Sequence, residues 1–153
     1  MDTVKIATSE KHVAIERDGK NVGEIVFNPS DASFAERFYA VIAEFQSKLS
    51  EYQARHVALA QSKELDANNL PVNVPEQLQL LRETCEFTRE RIDYLFGSGT
   101  SQIAFGNALE LDQFTQFFDG IAPFIQSTRA EKIKQYLPPV NGNGKKPRKP
   151  RKR

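Results

Sequence analysis

The sequence predicts a mainly α-helical α+β domain. A small N-terminal β-hairpin lies on a helical hairpin or bundle of about three helices, and a disordered basic tail follows. Three observations carry this reading. An Asp18-Gly19 step separates two short β-prone runs. Two long segments repeat apolar residues every three or four positions. The chain closes on KKPRKPRKR, which is too charged and apolar-poor to fold by itself. The expected divisions are a hairpin over 1–30, a helical body over 31–137 and a tail over 138–153.

Asp-Gly suits a type I′ turn, which needs positive φ at both central residues. The strands are therefore expected at 12–17 and 21–27, with a third over 3–7. A lone hairpin is marginal in water, so it is expected to pack on a helix. Asn28-Pro29-Ser30-Asp31 then ends the strand and supplies helix caps.

From about Asp31 to Glu64 the apolar seam runs Phe34, Phe38, Val41, Phe45, Leu49, Tyr52, His56 and Leu59, with no Gly or Pro between. A helix of that length is roughly 50 Å long. One small core cannot cover it, so part of its seam is expected to face a partner helix, and self-association is expected. Residues 65–74 read as a loop. Pro75 suits the first turn of a second helix over 75–96, with Leu78, Leu81, Cys85, Thr88, Ile92 and Leu95 as its seam. The short connection predicts an antiparallel pair.

A Gly-rich hinge follows, with Gly97 placed to end the second helix. Ile103-Ala104-Phe105 reads as one helical turn. Asn107 and Glu110 have the spacing of a capping box. A third helix then shows Leu111, Phe114, Phe118, Ile121 and Ile125 on one face. Gly120 and Pro123 predict a kink, and the pattern fades near Tyr136-Leu137 before Pro138-Pro139. Phe96 and Phe105 are expected to anchor the hinge against Phe114, Phe117 or Phe118.

Composition bounds the function. The net charge of +1 hides two parts: residues 145–153 hold seven of the 21 basic residues, leaving 14 basic against 20 acidic residues before them. An acidic body thus carries a basic tail. No apolar run approaches the roughly 20 residues of a membrane span, and no secretory h-region is visible at the N-terminus, so a cytoplasmic protein without membrane contact is expected. The single cysteine, Cys85, excludes an intramolecular disulfide and any Cys-based zinc site. His12 and His56 have no second ligand at metal spacing. Gly97-Ser98-Gly99-Thr100 follows a helix and lacks the Gly-Lys-Ser/Thr of a phosphate loop. Scattered acidic residues beside Arg89 and Arg91 read as a solvated helix face. No catalytic residue, metal or cofactor is expected, and the chain reads as non-enzymatic. The tail could meet nucleic-acid phosphates, although no aromatic residue is interleaved to stack on bases. A small nucleic-acid-binding regulatory protein is therefore the alternative reading.

Three stretches together resemble the short tail assembly chaperones of long-tailed bacteriophages and their prophages. The first is EIVFNPSDASFAERFYAVIAEF, where Asp31 and Phe34 match an acidic D-x-x-F helix start. The second is RERIDYLFGSGTSQIAFG, where Asp93, Phe96, Gly97, Gly99, Thr100, Phe105 and Gly106 match an Asp followed by FG-x-GT and a second FG. The third is LELDQFTQFFDGIAPFI. The resemblance spans about residues 13–137, with a longer linker at 65–74 and Pro123 as departures. It implies a protein that coats the tape measure protein in the host cytoplasm before tail-tube subunits polymerise, and that is not retained in the mature virion. It also implies a possible second partner in the tail tube protein. The surplus of the first helix, with Phe45, Leu49, Tyr52 and Leu59, is the expected partner surface.

Overall fold

A computed structural model describes residues 1–125 of the chain. The expected fading of the last helix near Tyr136-Leu137, its stop at Pro138-Pro139 and the tail over 138–153 all lie outside the described residues. The order of elements is β1 (Lys11–Arg17), β2 (Lys20–Phe27), α1 (Ala32–Ala60), α2 (Val74–Phe96), α3 (Thr100–Phe105) and α4 (Leu111–Ile121), then a 3-10 turn at Ala122–Phe124.

β1 and β2 pair antiparallel. Asp18 and Gly19 have φ of 54° and 79°, as a type I′ turn requires. One irregularity interrupts the ladder: Ile15 faces Gly23 while Glu16 faces Asn21, so Val22 is the extra residue of a bulge. The Asn21 side chain accepts a hydrogen bond from the Gly23 N–H at 3.0 Å and braces that bulge. The third strand expected over 3–7 is absent. Residues 1–10 form no secondary structure and are exposed throughout.

Gly23 has a packing role. A Cβ placed there would lie 2.8 Å from Ile103 Cγ2, so the missing side chain lets α3 sit directly on the hairpin. Gly23→Val is expected to push α3 away and lower stability by about 1–3 kcal/mol, the usual cost of overpacking. A urea midpoint unchanged from the parent protein would contradict that contact.

Asp31 caps α1, its carboxylate accepting from the Ser33 N–H and hydroxyl, both at 2.8 Å. The Ser33 hydroxyl, and secondly its N–H, hold the Asp31 carboxyl below its ordinary value. α1 is 29 residues long and ends at Ala60, earlier than expected. It runs antiparallel to α2: Phe34 meets Phe96 at one end, Glu44 accepts from Arg91 at 2.6 Å, Tyr52 meets Phe87, Arg55 pairs with Glu83, and the Asn73 amide donates to the Leu59 carbonyl. Asn73, in the connecting loop, thereby adds a side-chain donor to a carbonyl that already accepts from the backbone in the last turn of α1.

The second-helix seam differs from expectation over its first two turns. Leu80 and Thr84 are buried there, whereas Leu78 and Leu81 are 59% and 37% exposed. From Cys85 onward the expected residues Thr88, Ile92 and Leu95 are buried. The first turns of α2 face only the distal half of α1, and a single neighbouring helix covers a narrower stripe than the full core does.

The capping box is not formed. α4 begins at Leu111 with Glu110 at its cap and no side-chain cap bond. Asn107 instead accepts from the Gln102 side chain at 3.3 Å. Phe114, Phe118, Ile121 and Ile125 are buried as the expected face, joined by Phe117. The break expected at Pro123 is the end of α4 and the start of the 3-10 turn. The core therefore gathers at one end of the α1–α2 hairpin, where β2, α3 and α4 converge on it.

Candidate functional site

Two features stand out: a polar staple around the Gly-rich hinge, and an uncovered far end of the helical hairpin.

The hinge starts in the last turn of α2. Gly97 leaves the helix with φ 118°, its N–H donating to the Asp93 carbonyl at 2.9 Å. Gly99 is left-handed with φ 86°, and α3 starts immediately after it. Such φ values are opposed by a β-carbon. The Asp93 side chain reaches across this turn. One oxygen accepts from the Ser101 N–H at 2.7 Å, and the other from the Ser101 hydroxyl at 2.9 Å. The Thr100 hydroxyl donates to the Gly97 carbonyl at 2.7 Å. Thr100 and Ser101 are buried, so these bonds replace solvent for groups that have left it.

The aromatic residues fix what the glycines turn. Phe96 lies 5.1 Å from Phe27, 5.9 Å from Phe34 and 5.3 Å from Phe117 between ring centroids. Phe105 lies 5.1 Å from Phe114 and 5.7 Å from Phe117. The two Phe-Gly steps thus set both ends of α3 into one aromatic cluster. Asp93, Phe96, Gly97, Gly99, Thr100, Phe105 and Gly106 act as a single structural unit.

Two arginines complete that unit, and sequence reasoning missed both. Arg89 was expected on a solvated face. It instead donates to the carbonyls of Gly106 at 2.5 Å and Ala108 at 3.0 Å. Arg17, at the end of β1, donates to the Ile103 carbonyl at 3.1 Å. Carbonyls at the end of α3 have no partner within that short helix, and the guanidinium groups supply one. Acidic neighbours in sequence hid this role, since Glu86 is bonded to Arg82 rather than to Arg89.

The far end of the hairpin is different. Of the four expected partner-surface residues, Phe45 is buried, with Phe87 5.4 Å away, and is not available to a partner. Phe87 lies outside the expected seam and is the reason Phe45 is covered. Leu49, Tyr52 and Leu59 are half-buried. Val57, with Ala54 and Ala58 beside it, is exposed on α1, and Leu78 and Leu81 are exposed on α2. Leu65, Leu70 and Val72 in the adjoining loop are also exposed. Asp66 orders that loop by accepting from the N–H groups of Asn68 and Leu70.

Among the described residues no three His, Cys, Asp or Glu side chains come together to hold a metal. His12 contacts Glu24 at 2.6 Å across the exposed face of the hairpin, and His56 is exposed on α1. Cys85 is fully buried, and burial pushes its thiol up to about 11. The folded protein should therefore resist thiol-directed alkylation at neutral pH, with full labelling after denaturation. The raised value also sets a sign. The stabilising effect of the neutral thiol is whole below pH 9 and is lost as pH rises toward 11, because the unfolded chain ionises first. Rapid labelling of the native protein would overturn the buried placement.

Residues 21–153 match the model described as Family of unknown function (DUF6673). The chain belongs to that family. The match begins inside β2 and takes in the hinge and all four α-helices among the described residues. No curated protein and no solved structure matches the chain. Among the described residues of this DUF6673 member, no helix is long and apolar enough to cross a membrane.

Proposed function

We propose that this chain is a non-enzymatic phage tail assembly chaperone, which binds the tape measure protein in the host cytoplasm during tail assembly. The observation that carries the reading is the stretch from Asp93 to Gly106, whose residues resemble the motif of those chaperones. Physical chemistry makes the role reasonable. A long helical tape measure with apolar stripes aggregates unless it is covered. An amphipathic helix can lay its apolar face against the exposed apolar residues at the open end of the α1–α2 hairpin, Val57 on α1 or Leu78 and Leu81 on α2. Tail-tube subunits are the second proposed partner, acting after the tape measure is coated.

Co-expression with the tape measure protein of the same phage or prophage is the direct test. The tape measure is expected to move into the soluble fraction with the parent protein. Val57→Asp combined with Leu78→Asp should remove that effect while leaving the chaperone folded, because both positions are exposed. A tape measure equally insoluble with and without the parent protein would falsify the reading.

The basic run at 145–153 supports a second reading, a small nucleic-acid-binding regulatory protein. Seven positive charges in nine residues give phosphate contacts whose affinity falls steeply with salt. Deleting residues 145–153 should then abolish DNA or RNA binding and spare protein partners. Binding unaffected by the deletion would dismiss this reading.

A further inference from the structure

The hairpin has an unpaired edge beside an unpaired segment of strand-like sequence. The sheet has two strands, so the outer edge of β1 meets no strand among the described residues. An edge of this kind presents a row of N–H and C=O groups ready to pair with another chain. Three residues ahead of β1 lies Thr3-Val4-Lys5-Ile6-Ala7, where the β-branched Val4 and Ile6 flank Lys5 at strand spacing. Val4 and Ile6 are 86% and 84% exposed, and no backbone hydrogen bond is made by residues 1–10 among the described residues. None of these residues has positive φ, so no left-handed residue interrupts an extended path.

We propose that Thr3–Ala7 is a strand exchanged between two copies of this chain, each adding it antiparallel to the outer edge of the other's β1. The first argument is the connection. Folding back onto its own β1 would require Thr8-Ser9-Glu10 to act as a three-residue hairpin loop. Such loops place a residue in the left-handed region, usually Gly, and this one offers neither Gly nor Asn. Pairing between copies makes the same contacts with the connection left open, as in domain swapping.

The second argument is charge and register. With the two-fold axis at Ser9, Val4 faces Ala14 and Ile6 faces His12 of the second copy. His12 is itself opposite Val26, an apolar residue 43% exposed on the outer face of the hairpin. Lys5 faces Val13, and Lys11 faces Ala7. Moving the axis by one residue sets Lys5 against Lys11 in one direction, or Glu10 against its own copy in the other. Like charges directly opposite are unfavourable. The chosen register leaves only Asp2 and Glu16 opposed, at the frayed end.

The third argument is size. Extending β1 back to Thr3 supplies about fifteen residues per copy, somewhat fewer than the roughly 20–30 per side of a standard interface. A reversible dimer of micromolar affinity is expected. This inference is independent of the proposed chaperone role and of the partner surface at the far end of the hairpin.

Sedimentation velocity of the full chain across a micromolar to submillimolar series, with hydrogen exchange of the Thr3–Ala7 amides, tests it. The expected result is a monomer–dimer equilibrium in which these amides are protected only in the dimer. Lys5→Pro with Ile6→Pro removes two adjacent N–H groups, one of which must face the neighbouring strand. That variant should weaken the dimer at least tenfold with unchanged helical circular dichroism, since both positions lie outside the core. Ser9→Gly supplies the missing turn residue. It should shift the population to monomer while keeping the amides protected. A monomer at every concentration, with the amides either exposed or protected, overturns the proposal. A dimer that survives the double proline variant overturns it too, because the contact then lies elsewhere.

Discussion

Phe96→Ala is expected to cost about 3–5 kcal/mol, the range for emptying a buried phenylalanine site. Phe96 is 3% exposed and closes the last turn of α2. Its ring touches Phe27 from β2, Phe34 from α1, and Phe117 and Phe118 from α4. Few positions join so many elements, so the cavity cannot collapse without moving several of them. A domain of this size has a total stability of roughly 5–15 kcal/mol. The loss should lower the thermal midpoint by roughly 10 °C or more. Phe124→Ala is the control. Phe124 is 37% exposed in the 3-10 turn, and its loss should cost no more than about 1 kcal/mol. Phe105→Ala, which removes contacts to Phe114 and Phe117, should resemble Phe96→Ala. Equal midpoints for Phe96→Ala and Phe124→Ala would show that the hinge is not part of the core.

Asp93→Ala should be the most damaging polar substitution. It removes the acceptor for both the N–H and the hydroxyl of Ser101, which is 4% exposed. A buried donor left without a partner costs about 1–3 kcal/mol, more than the net worth of an ordinary hydrogen bond. The start of α3 would lose its anchor to α2, and Phe105 would lose the geometry that seats it. Asp93→Asn is the informative comparison. Its carbonyl can still accept from the Ser101 N–H, while its amide can donate to the Ser101 oxygen. Asparagine should therefore recover about half of the lost stability in urea denaturation. Alanine and asparagine variants of equal stability would mean that the staple contributes no hydrogen-bond energy.

Local rules were legible where local physics decides. Asp18-Gly19 specifies the hairpin because few other pairs tolerate two positive φ values in succession. The Asp31 cap follows from short-range bonding to Ser33, and Pro75 sits in the first turn of α2, where a missing N–H is harmless. The aromatic seam of α1 from Phe34 to Phe45 is buried because its period matches one helix face. The D…FG-x-GT…FG pattern marked the hinge, since paired glycines between apolar periods signal a turn that must be packed.

What periodicity could not decide was which neighbour covers each face. Leu78 and Leu81 satisfy the seam of α2 as well as Cys85 and Ile92 do, yet only the latter pair is buried. Thr3–Ala7 alternates like a strand, but a strand exists only when an edge receives it. Arg89 reads as one more surface charge until the chain returns eighteen or so residues later and offers it the carbonyls of Gly106 and Ala108. Gly23 reads as a weak point in a strand until α3 comes to rest on it. The sequence by itself determined the hairpin turn, the helix periods and the aromatic hinge, because those depend on backbone sterics and spacing within one segment. The tertiary structure decided the coverage of α2, the arginine partners and the fit at Gly23, because each depends on atoms brought together from distant parts of the chain.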